Sequence, residues 1–80
     1  MNDIVSSETR DFKFNDHEIR VVVHFPSEKT AEKFTVQYRV LKDGLPETEL
    51  LVSHEPQATC DEAFEHGYSM GRRYIETLNA

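Results

Sequence analysis

The fold of this chain is decided near its C-terminus, by residues 59–78, TCDEAFEHGYSMGRRYIETL. Apolar or small residues recur there at steps of three and four, which is the spacing of one face of an α-helix. Thr59 and Glu62 have the spacing of a capping box, in which each side chain bonds the backbone amide of the other residue. Acidic residues crowd the first half of the stretch and two arginines the second, an order that suits the helix dipole. We therefore predict one amphipathic helix over residues 59–78.

Two glycines, Gly67 and Gly71, lie on the apolar stripe of this helix, one turn apart. Each destabilises a helix by about 1 kcal/mol relative to alanine. We interpret the pair as a place where the helix backbone packs closely on a sheet, with an aromatic side chain such as Tyr38 filling the groove. A helix break at Gly67 and a close contact between two helices are the alternatives.

Upstream of the helix, apolar and polar residues alternate in runs that predict antiparallel strands. Asn15 and Asp16 tolerate the positive φ of a two-residue hairpin turn, which would join a short first strand at residues 10–14 to a second strand at residues 19–25. The register then gives two opposite-charge pairs and one apolar pair. The predicted partners are Phe14 with His17, Lys13 with Glu18, Phe12 with Ile19 and Asp11 with Arg20.

A second hairpin is predicted between a third strand at residues 32–42 and a fourth at residues 45–54. A two-residue loop would place a glutamate opposite a buried tyrosine. We therefore predict a three-residue loop, residues 42–44, which puts Leu50 and Val52 on the buried face instead.

The predicted fold class is α+β, because a half-apolar sheet and an amphipathic helix both leave water when they form two layers. The sheet is an antiparallel meander of four strands, or of three if the first does not form, and the C-terminal helix packs on one face. Eighty residues make a single domain. We assign residues 10–80 to it and residues 1–9 to a flexible N-terminal tail.

Charge and cysteine content argue against several classes of protein. The net charge of −6 opposes non-specific binding to nucleic acid. The single cysteine, Cys60, cannot form an internal disulfide, and with the four histidines it lacks the paired spacing of a structural zinc site. No signal peptide and no membrane-spanning stretch is evident, so we expect a cytoplasmic protein.

Motifs for catalysis are missing from the sequence. It has no phosphate-binding glycine loop, no Gly-x-Ser-x-Gly turn and no His-Glu-x-x-His helix. We interpret Cys60 as a small buried residue on the apolar stripe rather than as a nucleophile. We predict no catalytic, cofactor or metal residue, and no enzymatic activity.

The sheet face away from the helix is the candidate interface. Three leucines are predicted to lie close together there, and an apolar patch rimmed by charges often marks an interaction site. The candidate interface residues are Val22, Arg39, Leu41, Leu45 and Leu51. Arg72 and Arg73 are a candidate anion contact, although a helix C-terminus favours arginines for its own electrostatics.

The layout resembles that of small bacterial single-domain proteins of uncharacterised function, which have three or four antiparallel strands followed by a C-terminal helix. The resemblance rests on Phe14-x-x-His17-x-Ile19 and on Glu62-Ala63 with Gly71-Arg72-x-Tyr74-Ile75. It implies a fold and a bacterial origin, and it implies no activity.

We expect a non-enzymatic protein-interaction module, acting on an unknown protein partner or as a homodimer. The alternative is a small-ligand-binding domain or a minor enzyme with its site near Arg72 and Arg73. A nucleic-acid binder is disfavoured by charge, and an acidic phage-type inhibitor is suggested by fold analogy alone.

Overall fold

The computed structural model describes residues 7–26 and 33–78. Three long strands form a meander, and two shorter strands both pair with the third long strand, so that they share the remaining edge of the sheet. A C-terminal helix packs on this sheet, so the predicted α+β fold is confirmed. The elements are β1 (Ser7–Phe14), β2 (His17–His24), β3 (Phe34–Lys42), β4 (Leu45–Pro46), β5 (Leu51–Gln57) and α1 (Cys60–Leu78).

The first hairpin has the predicted turn and the predicted register. Asn15 and Asp16 adopt φ values of 49° and 66°. Positive φ at both central residues is the conformation that the predicted two-residue hairpin turn requires. All four predicted partner pairs are found, and the ladder continues to Ser7 opposite His24. Residues 7–9 therefore belong to β1 rather than to a tail, whereas residues 1–6 lie outside the described part of the chain. β2 begins at His17, two residues earlier than predicted.

The predicted loop and register of the second hairpin are wrong. Asp43 and Gly44 have φ values of 54° and 80° and form a two-residue turn, which sets Lys42 opposite Leu45. The backbone amide of Glu47 continues this register by donating to the carbonyl of Val40 at 2.7 Å. Left unchanged, the register would place Glu49 on the buried face, which is the penalty that favoured the three-residue loop.

The chain escapes that penalty by leaving the ladder for residues 48–50. The Thr48 hydroxyl accepts a hydrogen bond from the Val40 amide at 3.2 Å and donates to the Glu49 carbonyl at 2.7 Å. The Thr48 hydroxyl thus takes the place of a backbone hydrogen-bond partner. The segment between β4 and β5 contains two residues more than a continuous ladder would need. Pairing resumes with Leu51 opposite Tyr38. The predicted continuous strand at residues 45–54 is therefore split, and β5 extends to Gln57.

This register decides which side chains of β5 are buried. Ser53 lies opposite Val36 and is buried, and Leu51 packs against the core. Leu50 and Val52, which were predicted to be buried, are 41% and 51% exposed. The prediction failed because a shift by an odd number of residues moves every side chain of a strand to the other face.

The helix α1 is continuous through both glycines, as predicted, and runs from Cys60 to Leu78. The backbone amide of Glu62 donates to the Thr59 hydroxyl at 3.1 Å, which caps the first turn. A Cβ atom on Gly71 would lie 2.5 Å from Cγ2 of Ile19, and one on Gly67 would overlap Val21. The close packing is therefore confirmed, but aliphatic side chains of β2 fill the groove instead of Tyr38.

The core lies between α1 and one face of the sheet. Its partly buried border includes four phenylalanines and Tyr68, whose ring centroid is 5.3 Å from that of Phe12. The buried members of the core are Ile19, Val21, Val23, Val36, Tyr38, Val40, Ala63, Phe64 and Ile75.

Candidate functional site

The sheet has two faces, and α1 covers only one of them. Side chains alternate along each strand, and residues directly opposite each other in the ladder share a face. The face away from α1 is called the open face here. Its residues, from the ladder pairs, are Ser7, Thr9, Asp11, Lys13, Glu18, Arg20, Val22, His24, Thr35, Gln37, Arg39, Leu41, Pro46 and Val52.

Three of the five candidate interface residues lie on the open face: Val22, Arg39 and Leu41. Leu41 is only 6% exposed, so it supports the surface more than it forms it. Leu45 is 69% exposed but lies opposite Lys42, because the turn has two residues rather than three. Leu51 lies opposite Tyr38 and points toward α1. The predicted leucine cluster is therefore not formed.

Val52 is an open-face residue that the sequence analysis assigned to the core. It lies opposite Gln37, and half of its surface is exposed. The alternation along residues 45–54 contained no sign of the irregular segment that moves it. On the neighbouring strands, the ring nitrogen Nε2 of His24 is 2.8 Å from the Gln37 side-chain oxygen, which ties β2 to β3 beside Val22.

Two arginines lie side by side at the centre of the open face. Arg20 on β2 is directly opposite Arg39 on β3. The Nε and Nη2 atoms of Arg20 donate to the two carboxylate oxygens of Asp11 at 2.9 and 3.4 Å. That hydrogen bond, together with the carboxylate charge, raises the pKa of Arg20.

Arg39 forms no such ion pair with the residues that the structure describes. Its Nε atom is buried and has no hydrogen-bond partner among the residues that the structure describes. Like charges directly opposite each other on a sheet are destabilising, and a buried donor without an acceptor adds a desolvation penalty. The open face therefore carries an unsatisfied cationic group beside a satisfied one.

A cavity of about 560 Å³ lies between β5 and α1. The Ser53 hydroxyl is 2.7 Å from Nε2 of His66, and a Glu55 carboxylate oxygen is 3.8 Å from the same nitrogen. A Ser-His-acid triad needs the acid on Nδ1 and the serine on Nε2, so this arrangement is not a triad. The serine hydroxyl also accepts a hydrogen bond from the Glu55 amide, at 3.2 Å and within β5. The Ser53–His66 contact therefore serves to tie β5 to α1.

The two candidate anion contacts are not brought together. Arg72 lies over the ring of Tyr68, with its guanidinium carbon 5.9 Å from the ring centroid. Arg73 lines the cavity beside β5, together with Ser69 and His66. Adjacent helix residues project about 100° apart, and the two arginine side chains accordingly have different surroundings. Only Arg73 borders a cavity that a ligand could enter.

Cys60 packs against the edge of the core, where burial raises the pKa of its thiol. A protonated thiol is a weak nucleophile. Over residues 7–26 and 33–78, the structure contains no group of three side chains able to hold a metal ion. Within the same ranges, no helix is long and apolar enough to cross a membrane. Comparisons with protein-family models, curated proteins and solved structures find no match to this chain.

Proposed function

We propose that this protein is a non-enzymatic interaction module whose open face receives a partner protein. The observation that carries the proposal is the asymmetry of the sheet: α1 packs on one face, and the other combines exposed Val52 with Val22 and a charged rim. Antiparallel sheets often leave a polar face in water, but apolar side chains within it favour an interface. The sequence expectations of a bacterial origin and a cytoplasmic location belong to the same proposal.

A substitution at Val52 tests this proposal. Val52→Asp places a charge on the exposed apolar part of the postulated contact, and its 51% exposure means that the free protein tolerates the change. Leu78→Asp is the matched control, because Leu78 is 48% exposed at the far end of α1. We expect a partner captured from bacterial lysate, and then purified, to lose binding to Val52→Asp and to keep binding to Leu78→Asp in calorimetry. Equal binding to both variants would contradict the proposal.

A small-ligand-binding role is the second candidate, and the cavity between β5 and α1 favours it. Arg73, His66, Ser69 and Glu55 offer both donors and acceptors around a volume of about 560 Å³. A ligand screen by NMR should then shift amide resonances of β5 and α1 around this cavity, and Arg73→Gln should remove the shifts. Arg72→Gln is the control, because Arg72 lies over Tyr68 instead.

A further inference from the structure

Among the ladder-paired residues that the structure describes, the open face holds one basic side chain more than acidic ones. Asp11 occupies two nitrogens of Arg20, whereas Arg39 has a buried Nε without an acceptor within the described ranges. These paired residues include Lys13, Arg20 and Arg39 against Asp11 and Glu18, three positive charges against two negative ones. The paired part of the face is therefore locally positive on a chain whose net charge is −6.

A carboxylate is the group that complements this arrangement: the Nε atom of Arg39 is buried, but the side chain is partly exposed, so a partner reaches it through its terminal nitrogens. A guanidinium presents two parallel N–H donors that match the two oxygens of a carboxylate, and such charge-assisted bonds are short and strong. Val22 is a partly exposed neighbour of Arg39 on the face. A partner that covers Val22 excludes water and so strengthens the ion pair.

We infer that the partner of the open face inserts an aspartate or glutamate side chain that binds Arg39. This inference rests on the proposed function and names the chemistry of the partner. A second copy of this chain is disfavoured as the occupant, because it would bring the same excess guanidinium to the contact. The interface thus joins apolar contacts at Val52 and Val22 to one central ion pair.

Capped tripeptides, added to the 80-residue chain, test directly whether Arg39 binds a carboxylate. Acetyl-Val-Asp-Val-amide is the probe, and acetyl-Val-Asn-Val-amide is its uncharged match. We expect the aspartate peptide to shift the Nε–H resonance of Arg39 in arginine side-chain NMR spectra, and high salt to suppress the shift. The same shift with the asparagine peptide, or no shift at Arg39 with either, would overturn the inference.

Arg39→Gln separates this inference from the proposed function, with Arg72→Gln as its matched control, because Arg72 lies over Tyr68 on α1. We expect Arg39→Gln to weaken binding of the purified partner by about tenfold or more and Arg72→Gln to leave it unchanged. If Val52→Asp abolishes binding but Arg39→Gln does not weaken it, the inference of a carboxylate on the partner is wrong and the proposed interaction module is retained. If neither variant weakens binding, both the inference and the proposed function are wrong.

Sedimentation equilibrium tests whether a second copy of this chain occupies the open face. We expect the free protein to stay monomeric, with no change in mass for Arg39→Gln. A dimer that dissociates on Arg39→Gln would make a second copy the occupant and would overturn the inference of an acidic partner.

Discussion

Gly67 and Gly71 set the distance between the helix and the sheet. Both are buried, and side chains of β2 occupy the space where their Cβ atoms would lie. The sequence predicted this close packing from two costly glycines on an apolar stripe. It did not predict that Val21 and Ile19 would fill the groove, because that depends on where the helix crosses the sheet.

Gly67→Ala is expected to destabilise the protein despite the better helix propensity of alanine. The gain of about 1 kcal/mol is outweighed, because the new methyl group overlaps the stiff side chain of Val21 and overpacking costs about 1–3 kcal/mol. Urea unfolding measures the loss. Glu76→Ala, on the exposed side of α1, should be neutral or stabilising, and Val21→Ala combined with Gly67→Ala should lose less than the two changes summed. A more stable Gly67→Ala protein would contradict the packing.

Arg39 lowers the stability of the free protein. It lies opposite Arg20 and leaves a buried Nε without a partner in the described part of the chain. We expect Arg39→Met to raise the free energy of unfolding by about 0.5–1 kcal/mol, because it removes the repulsion and keeps the aliphatic stem. Arg73→Met should change it by less than about 0.5 kcal/mol. Residues retained against stability are commonly retained for function, so a destabilised Arg39→Met would weaken the case for the site.

At the scale of elements, the break between β4 and β5 decides which surface the protein presents. The two-residue turn at Asp43 and Gly44 and the burial of Leu51 demand registers that differ by two residues. Thr48 makes the break possible by supplying a side-chain acceptor to the Val40 amide. The first hairpin contains no such disagreement, and its register was predictable for that reason.

Thr48→Val should therefore loosen the fourth position of the sheet. The change keeps the shape of the side chain but leaves the Val40 amide without its acceptor, a loss of about 1 kcal/mol. Hydrogen exchange should become faster at Val40 and in β5 while β1 and β2 are little affected. Thr77→Val is the control, because its hydroxyl only donates to the Arg73 carbonyl on an exposed helix turn. Unchanged exchange at Val40 would show that the hydroxyl is dispensable.

At the scale of the whole molecule, the core makes stability depend on alkaline pH. Burial raises the pKa of the Tyr38 phenol above its ordinary 10.0 and that of the Cys60 thiol above 9.0. The folded state therefore holds both protons more tightly than the unfolded chain. Their contribution to stability is fully present below about pH 9 and is lost as the pH rises through the folded-state pKa values.

We expect the free energy of unfolding of the wild-type protein to fall as the pH rises above about 9. Tyr38→Phe removes the upper part of this fall, because the ring remains and the ionisable hydroxyl is gone. Urea unfolding at several pH values measures the slope, with Tyr74→Phe as a matched tyrosine on the helix. An unchanged slope in Tyr38→Phe would mean that another group controls alkaline unfolding.

The sequence by itself determined the elements whose signals are local. The bounds of α1 follow from an apolar period and a cap that lie within one stretch of chain, and the first hairpin follows from a turn and the residues that flank it. The fold class follows from the same patterns, because each apolar surface has only the other to pack against.

Only the tertiary structure decided the composition of the open face. The faces of Leu45, Leu51 and Val52 depend on a compromise between a turn and a core that lie apart in the sequence. The register of β2 and β3 could place Arg39 opposite Arg20, but its missing acceptor is a property of the packed surroundings. Pairing between distant segments is settled by the free energy of the whole fold, which no local pattern contains.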